Sequence, residues 1–194
     1  MRFIYVFAVA LLFAPLAFAE VTTPTKRALF AGGCFWCMEA EFEGTVGVVS
    51  VTSGYTGGSV TNPSYKAVSA GDTGHAEAVE VVYDPQKVTY QQLLDIYWSN
   101  IDPTDAGGQF ADRGSQYRTE IYYADQEQHA LAQQSKRERQ RRLGADVATA
   151  ISPAGDFYPA ETYHQDYARK NPVHYNAYKY GSGRVNRLKE LQNN

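Results

Sequence analysis

Gly32-Gly33-Cys34-Phe35-Trp36-Cys37-Met38-Glu39 decides how this chain is read, because both of its cysteines lie there, three positions apart. The apolar run Arg27-Ala28-Leu29-Phe30-Ala31 just before it reads as a strand. Two glycines then predict a tight turn. Phe35 to Glu43 reads as a helix, with Phe35, Met38 and Phe42 at the i, i+3, i+7 spacing of one apolar face and Gly44 as its stop. Cys34 is thereby expected where a strand feeds a helix, beside backbone N–H groups that have no intrahelical partner. Those groups and the helix dipole favour a thiolate, the form of sulfur that attacks.

The chain has 194 residues, 44% of them hydrophobic, which suits one full domain better than two. A net charge of −3 implies no bulk attraction to nucleic acid or anionic lipid. Tyrosine is abundant, with 15 copies against 9 phenylalanines, and brings both apolar area and a hydroxyl. Residues 1–19 read as a secretory signal peptide: Arg2, an apolar run from Phe3 to Phe13, and the small-x-small site Ala17-Phe18-Ala19 before Glu20. A soluble exported protein with a periplasmic destination is expected, with 20–26 as a flexible leader and 27–194 as one catalytic domain. In an oxidising compartment a cysteine pair this close closes too small a loop to staple a fold, so redox work or metal binding explains it better.

Along the chain, Val46 to Val51 reads as a buried strand, Gly54 to Tyr65 as a loop, and Ala76 to Asp84 as a strand. Thr89-Tyr90-Gln91-Gln92 is a capping box that opens a helix to about Ser99, with Val88 placed to staple onto Leu93. Asp102 to Gly114 reads as a polar loop and Gln116 to Ala124 as a strand. Asp125 opens a helix to Leu143, whose Lys136, Arg137, Arg139, Arg141 and Arg142 complement its C-terminal dipole. Nothing around that cluster carries the aromatic interleaving of a nucleic-acid surface. Val147 to Ile151 reads as a short strand, and Glu161 to Lys170 as a helix ended by Asn171-Pro172. Strands and helices interspersed in this way predict a single α+β or α/β domain.

Side chains alternate along Gly74-His75-Ala76-Glu77-Ala78-Val79-Glu80-Val81-Val82-Tyr83, so Glu77 shares a face with Val79, Val81 and Tyr83. A carboxyl in apolar surroundings keeps its proton and serves as a general acid near neutral pH; from parity alone a strand-end Glu turned to water is as good a reading. Tyr55, Asp112 and Tyr117 stand in or beside the two glycine-rich loops, and several loops delivering polar groups near a nucleophile is how active sites are built. The cysteine pair admits three readings. A zinc site lacks a second cysteine pair, and His164 and His174 are ten apart. A thioredoxin-type thiol–disulfide oxidoreductase usually has small residues or proline between its cysteines. The third reading is a nucleophile that passes through a sulfenic acid resolved by the second cysteine, with Phe35 and Trp36 walling a pocket for a small apolar group.

Together with Gly54-Tyr55-Thr56-Gly57-Gly58, Gly74-His75-Ala76-Glu77, Asp112 to Arg118, and Asn171-Pro172 followed by Tyr175, these residues make the chain similar to the A-type methionine sulfoxide reductases, the peptide-methionine (S)-S-oxide reductases, from about Leu29 to Tyr175. The resemblance implies a two-layer α/β sandwich with a mixed, mostly antiparallel sheet flanked by helices. It implies Cys34 as nucleophile, Glu77 as acid, Tyr55 and Tyr117 as hydrogen-bonders of the sulfoxide oxygen, Asp112 as supporting carboxylate, Phe35 and Trp36 as the substrate-methyl cage, and Tyr175 as a further pocket residue. The implied substrates are oxidised-methionine proteins, peptides or free methionine sulfoxide. No bound cofactor or metal is implied; an external dithiol, a thioredoxin-like reductase, is the expected partner. Nucleic acid and a stable membrane contact are not expected as partners, and a monomer is. Relatives often carry recycling cysteines near the C-terminus, whereas Asn176 follows Tyr175 here, so recycling is expected to use Cys37 as the resolving thiol, or an outside thiol directly on Cys34. The rival functions are a general thiol–disulfide oxidoreductase and a secreted binding module with idle cysteines.

Overall fold

Residues 24–193 are described by a computed structural model; the segment read as a signal peptide lies outside them. In chain order the elements are β1 (Lys26–Gly32), α1 (Phe35–Glu43), β2 (Val48–Thr56), α2 (Tyr65–Ala70), β3 (Ala76–Tyr83), α3 (Tyr90–Ser99), β4 (Gly108–Gln109), β5 (Asp112–Arg113), β6 (Thr119–Tyr123), α4 (Gln126–Leu143), β7 (Ala150–Pro153), β8 (Phe157–Pro159), α5 (Tyr167–Lys170), α6 (Pro172–Gly181) and α7 (Arg184–Asn193). Six strands form one sheet in the order β7-β6-β1-β3-β2-β8. All neighbours are antiparallel except β6 and β7. β4 and β5 make a separate small ladder.

Alternation along the central strands sorts the molecule into two faces. Phe30 stands opposite both Val79 and Ile121, and Ala28 opposite Val81. These side chains join Phe35, Met38 and Phe42 of α1, Leu93, Leu94, Tyr97 and Trp98 of α3, and Ala132 of α4 in the main core. Phe30 anchors it, its ring stacked on Phe42, Tyr97 and Tyr90 at 5.3, 5.2 and 6.0 Å. The other face is thinner: Leu29, Ala31, Ala76, Ala78 and Tyr122, with Phe157 against them. Glu77 falls on the helix-covered face, as the parity of β3 requires.

The caps appear where the residues ask for them. Thr89 and Gln92 make the reciprocal capping box of α3, and the Asp125 side chain accepts from the Gln128 N–H at the start of α4. Other segments differ from the sequence reading. Lys26 is already in β1, so the leader stops one residue earlier. The apolar run from Val46 is not a buried strand; Val46 is 83% exposed and Val49 61%. β2 is buried at its far end instead, Ser53 to Thr56, through glycine-rich sequence expected to be loop. Gly54 explains this: a Cβ there would meet the Phe157 ring at 2.4 Å and the Tyr158 carbonyl at 2.5 Å, so the glycine admits β8 rather than making a turn.

Ser115–Tyr117 is a single 3-10 turn, so β6 starts only at Thr119. Residues Val147 to Thr149 lead into β7 rather than forming it; the Ala148 N–H is held by the Pro103 carbonyl at 2.7 Å. The helix expected over Glu161 to Lys170 is broken. Asp166 sits at φ +55, and the Gln165 side chain bonds Ser53 and Ala160, which pulls the segment onto β2. Pro172 then opens α6, a helix the sequence reading did not contain, as it did not contain α2, α7 or β8.

Candidate active site

Cys34 occupies the junction of β1 and α1. Gly33 before it adopts φ +80, a conformation that favours glycine, and turns the chain so that Cys34 becomes the N-cap of α1. The first free N–H of the helix does not go to the sulfur. Phe35 N–H donates to Glu77 Oε2 at 3.0 Å, a buried bond between α1 and β3. Burial pushes the Glu77 carboxyl up to about 8; the Phe35 N–H opposes that shift, and the charges of Asp112 and Cys37 add to it. Glu77 therefore carries its proton at neutral pH, within reach of the turn that carries Cys34.

Both thiols are free and buried, Cys34 at 7% exposure and Cys37 fully. Burial pushes the Cys34 thiol well above its ordinary range, and its hydrogen bond to Cys37 and the Glu77 charge act in the same direction. Cys37 is lowered to about 7, first by the hydrogen bond from Cys34 and then, against burial, by the charges of Arg184 and Lys179. At Cys34 burial works against the thiolate that the helix terminus favours, and the two thiols titrate as one coupled pair.

Aromatic residues close the hollow around this turn. The Phe35 ring lies 5.9 Å from Tyr55 and 5.0 Å from His164. Trp36 stacks on Tyr167 at 3.8 Å, donates Nε1–H to His164 Nδ1 at 3.0 Å, and meets Tyr178 edge-on. The Tyr55 hydroxyl donates to Glu161 Oε2 at 2.8 Å, and the other Glu161 oxygen accepts from the Tyr65 N–H at 2.8 Å. The Tyr178 hydroxyl donates to Asp112 and reaches the Cys34 sulfur. Tyr117 is raised by burial and by the charges of Glu77, Tyr65, Asp112 and Cys34. Tyr175 is buried, and its hydroxyl faces Cys37.

The residues singled out from sequence therefore gather at the N-terminal turn of α1, but two point elsewhere in this arrangement. Tyr55 is turned to Glu161, and the Asp112 carboxylate is occupied by Tyr178. Glu161, Tyr178 and Arg184 were missed in the sequence, and His164 was weighed there only as a zinc ligand. Tyr175 and Tyr178, three apart behind Pro172, were the one local signal that a helix there turns an aromatic face inward.

A cysteine at a strand–helix junction, a second free thiol three residues on and a buried, protonated carboxyl make a thiol-based redox site. Known proteins agree. The family model described as peptide methionine sulfoxide reductase matches residues 26–194. The peptide methionine sulfoxide reductase MsrA of Bacillus licheniformis is 50% identical over 171 residues, 85% of this chain and 92% of that protein. Reduced Mxr1 from Saccharomyces cerevisiae superposes with a TM-score of 0.73 at 34% identity, covering 77% of this chain and 87% of that one. Mxr1 in complex with Trx2 superposes at 0.54 and 22% identity, covering 79% and 91%. The chain belongs to the peptide methionine sulfoxide reductase family, and it is an oxidoreductase.

Proposed function

We propose that this enzyme reduces methionine-S-sulfoxide, free or in proteins, by a sulfenic acid at Cys34 that Cys37 resolves. The Cys34 thiol passes its proton to Cys37, its hydrogen-bond partner, and the thiolate attacks the sulfoxide sulfur. Glu77 protonates the sulfoxide oxygen as the S–O bond breaks, while Tyr117 and, once its hydroxyl turns from Glu161, Tyr55 steady that oxygen, and Asp112 gives its support through Tyr178. Phe35, Trp36 and Tyr175 hold the methyl end of the substrate. The released hydroxide then bonds to the Cys34 sulfur, the bond between Cys34 and the methionine sulfur breaks with its electron pair going to methionine, and Cys34 is left as the sulfenic acid. Cys37 then displaces it: the S–S bond forms, the S–O bond breaks, and water leaves with the Cys37 proton. An external dithiol of thioredoxin type reduces the disulfide; Mxr1 captured with Trx2 supports that partner.

The observation that carries this reading is the bond from the Phe35 N–H to a buried, proton-bearing Glu77 carboxyl. A general thiol–disulfide oxidoreductase needs no such acid. The test is single turnover with each sulfoxide epimer separately. Cys34→Ser is expected to release no methionine. Cys37→Ser is expected to release about one methionine per enzyme from the S epimer and to leave a trappable sulfenic acid. Absence of that burst removes Cys37 from the resolving role, and turnover of scrambled disulfides in preference to sulfoxide favours the rival.

Export and repair of oxidised periplasmic proteins fit the signal-like segment 1–19, read from sequence alone. A mature protein beginning near Glu20 in a periplasmic fraction is the check, and retention of Met1 in the cytoplasm overturns it.

A further inference from the structure

Arg184 is 2% exposed, the largest fully buried side chain of the core. It follows Gly181-Ser182-Gly183 at the start of α7 and reaches back beneath α1. One guanidinium nitrogen donates to the Asn100 carbonyl and lies 3.7 Å from Met38 Sδ; the group stacks over the Phe110 ring at 4.9 Å, and among the described residues Nε has no hydrogen-bond partner. Among the described residues it joins no ion pair. A buried guanidinium without a counter-charge is costly, because neither desolvation nor charge is repaid. The ionisable groups it favours as anions are Cys37, Asp112 and Tyr175. Asp112 already accepts from Tyr178. Lys179, the other cation that favours the Cys37 anion, is paired with Glu41 at 2.7 Å.

We propose that Arg184 is a positioning residue for the resolving step: its guanidinium is the fixed counter-charge that holds Cys37 as the nucleophile against the Cys34 sulfenic acid. Cys34, Glu77, Tyr175, Tyr178 and Lys179 are the other ionisable groups around Cys37. While both thiols are reduced, the hydrogen bond from Cys34 and the Arg184 charge together favour the Cys37 anion against burial. Once Cys34 carries oxygen its thiol is gone, and Arg184 is the fixed group that still does so. Cys37 passes its proton to the Glu77 carboxylate that the first step left, its thiolate gives its electron pair to the Cys34 sulfur, the S–O bond breaks, and the departing hydroxide takes that same proton, so that water and a disulfide result.

The proposal rests on Cys37 as the resolving thiol, and its test separates the two. In the Cys34→Ser protein, Cys37 is the only cysteine, and its titration is read from ultraviolet thiolate absorbance. Arg184→Gln, which keeps a donor for the Asn100 carbonyl, and Arg184→Met, which keeps the packing, both remove the charge; at least one is expected to fold. The neutral variant is expected to hold about tenfold less Cys37 thiolate at neutral pH. In the two-cysteine protein, sulfenic acid trapped after one turnover should persist about threefold longer, since a more basic thiolate attacks faster per anion. Arg184→Lys is expected to restore both. An unmoved Cys37 titration overturns the role of Arg184. Full thioredoxin-dependent cycling by Cys37→Ser, with the titration still sensitive to Arg184, overturns Cys37 as resolving thiol and the proposal with it.

Discussion

Glu77 holds a proton that a solvent-facing carboxyl would have lost, and the sign of that shift has two consequences. With Cys37 lowered to about 7 and Glu77 raised to about 8, the thiol pair must lose one proton while the carboxyl keeps its own. The kcat/KM profile is therefore expected to fall below about 7 as the pair fills with protons, and above about 8 as Glu77 ionises, with both limbs belonging to the coupled site. Glu77→Gln should lose about 10²- to 10⁴-fold in kcat/KM and the alkaline limb with it. The same shift costs stability. Below the unfolded carboxylate range both states are protonated and nothing is lost. Between there and about 8 the unfolded chain ionises and the native carboxyl does not, so native stability falls as pH rises. Glu77→Gln should accordingly melt higher than the parent at pH 8 and nearly level with it at pH 4; an equal gain at both pH values contradicts a buried, protonated Glu77. Period-two alternation placed Glu77 on the right face, but parity gave an even choice between core and water. Only the Phe35 N–H, 42 residues away, decides it.

At the scale of elements, the site depends on a close approach between β2 and β8. Tyr55 stands opposite Glu77 in one direction and Tyr158 in the other. Glu161, just past β8, takes the Tyr55 hydroxyl. Gly54 makes the approach possible. Gly54→Ala puts a methyl within 2.4 Å of the Phe157 ring and 2.5 Å of a backbone carbonyl. It should cost about 1–3 kcal/mol of stability and free the Tyr55 hydroxyl from Glu161. A thermal melt unchanged from the parent would show that β8 is not pressed against β2 in solution. Helices with a capping box or an Asp cap, α3 and α4, were legible because the signal lies within four residues. β8 and α6 were not, and the helix expected over Glu161 to Lys170 survives only as α5, because what fixes them is distant: Gln165 reaching Ser53, Trp36 stacking on Tyr167, and Tyr178 bonding Asp112. Local sequence there carries turn residues and tyrosines that suit helix, loop and strand alike.

Across the whole molecule, the Cys34 sulfur is held between a sheet whose central strands β1 and β3 come early in the chain and a cover built from its end. The sheet side is well determined: β1 and β3 share a register of five residue pairs, and Phe30 is locked among three rings. The cover, α5 to α7, holds the site through side chains: Tyr178 on Asp112 and Cys34, Lys179 on Glu41, Arg184 under Met38. Disulfide closure should strain one side and spare the other. Residues three apart on a helix hold their Cβ atoms about 5–6 Å from one another, whereas a disulfide wants about 3.5–4.5 Å. Drawing Cys34 toward Cys37 pulls on the Phe35–Glu77 bond and removes both sulfurs as partners for Tyr178 and Arg184. Amide exchange in the oxidised enzyme should therefore quicken at Phe35 to Glu39 and along Pro172 to Arg184, while Phe30, Val79 and Ile121 in the sheet exchange as they do in the reduced form. The oxidised form should also bind sulfoxide more weakly, because its acid has lost the N–H that holds it. Identical exchange in α1 and α6 in both redox states would mean that the disulfide closes without moving the turn, and that the cover is indifferent to the chemistry beneath it.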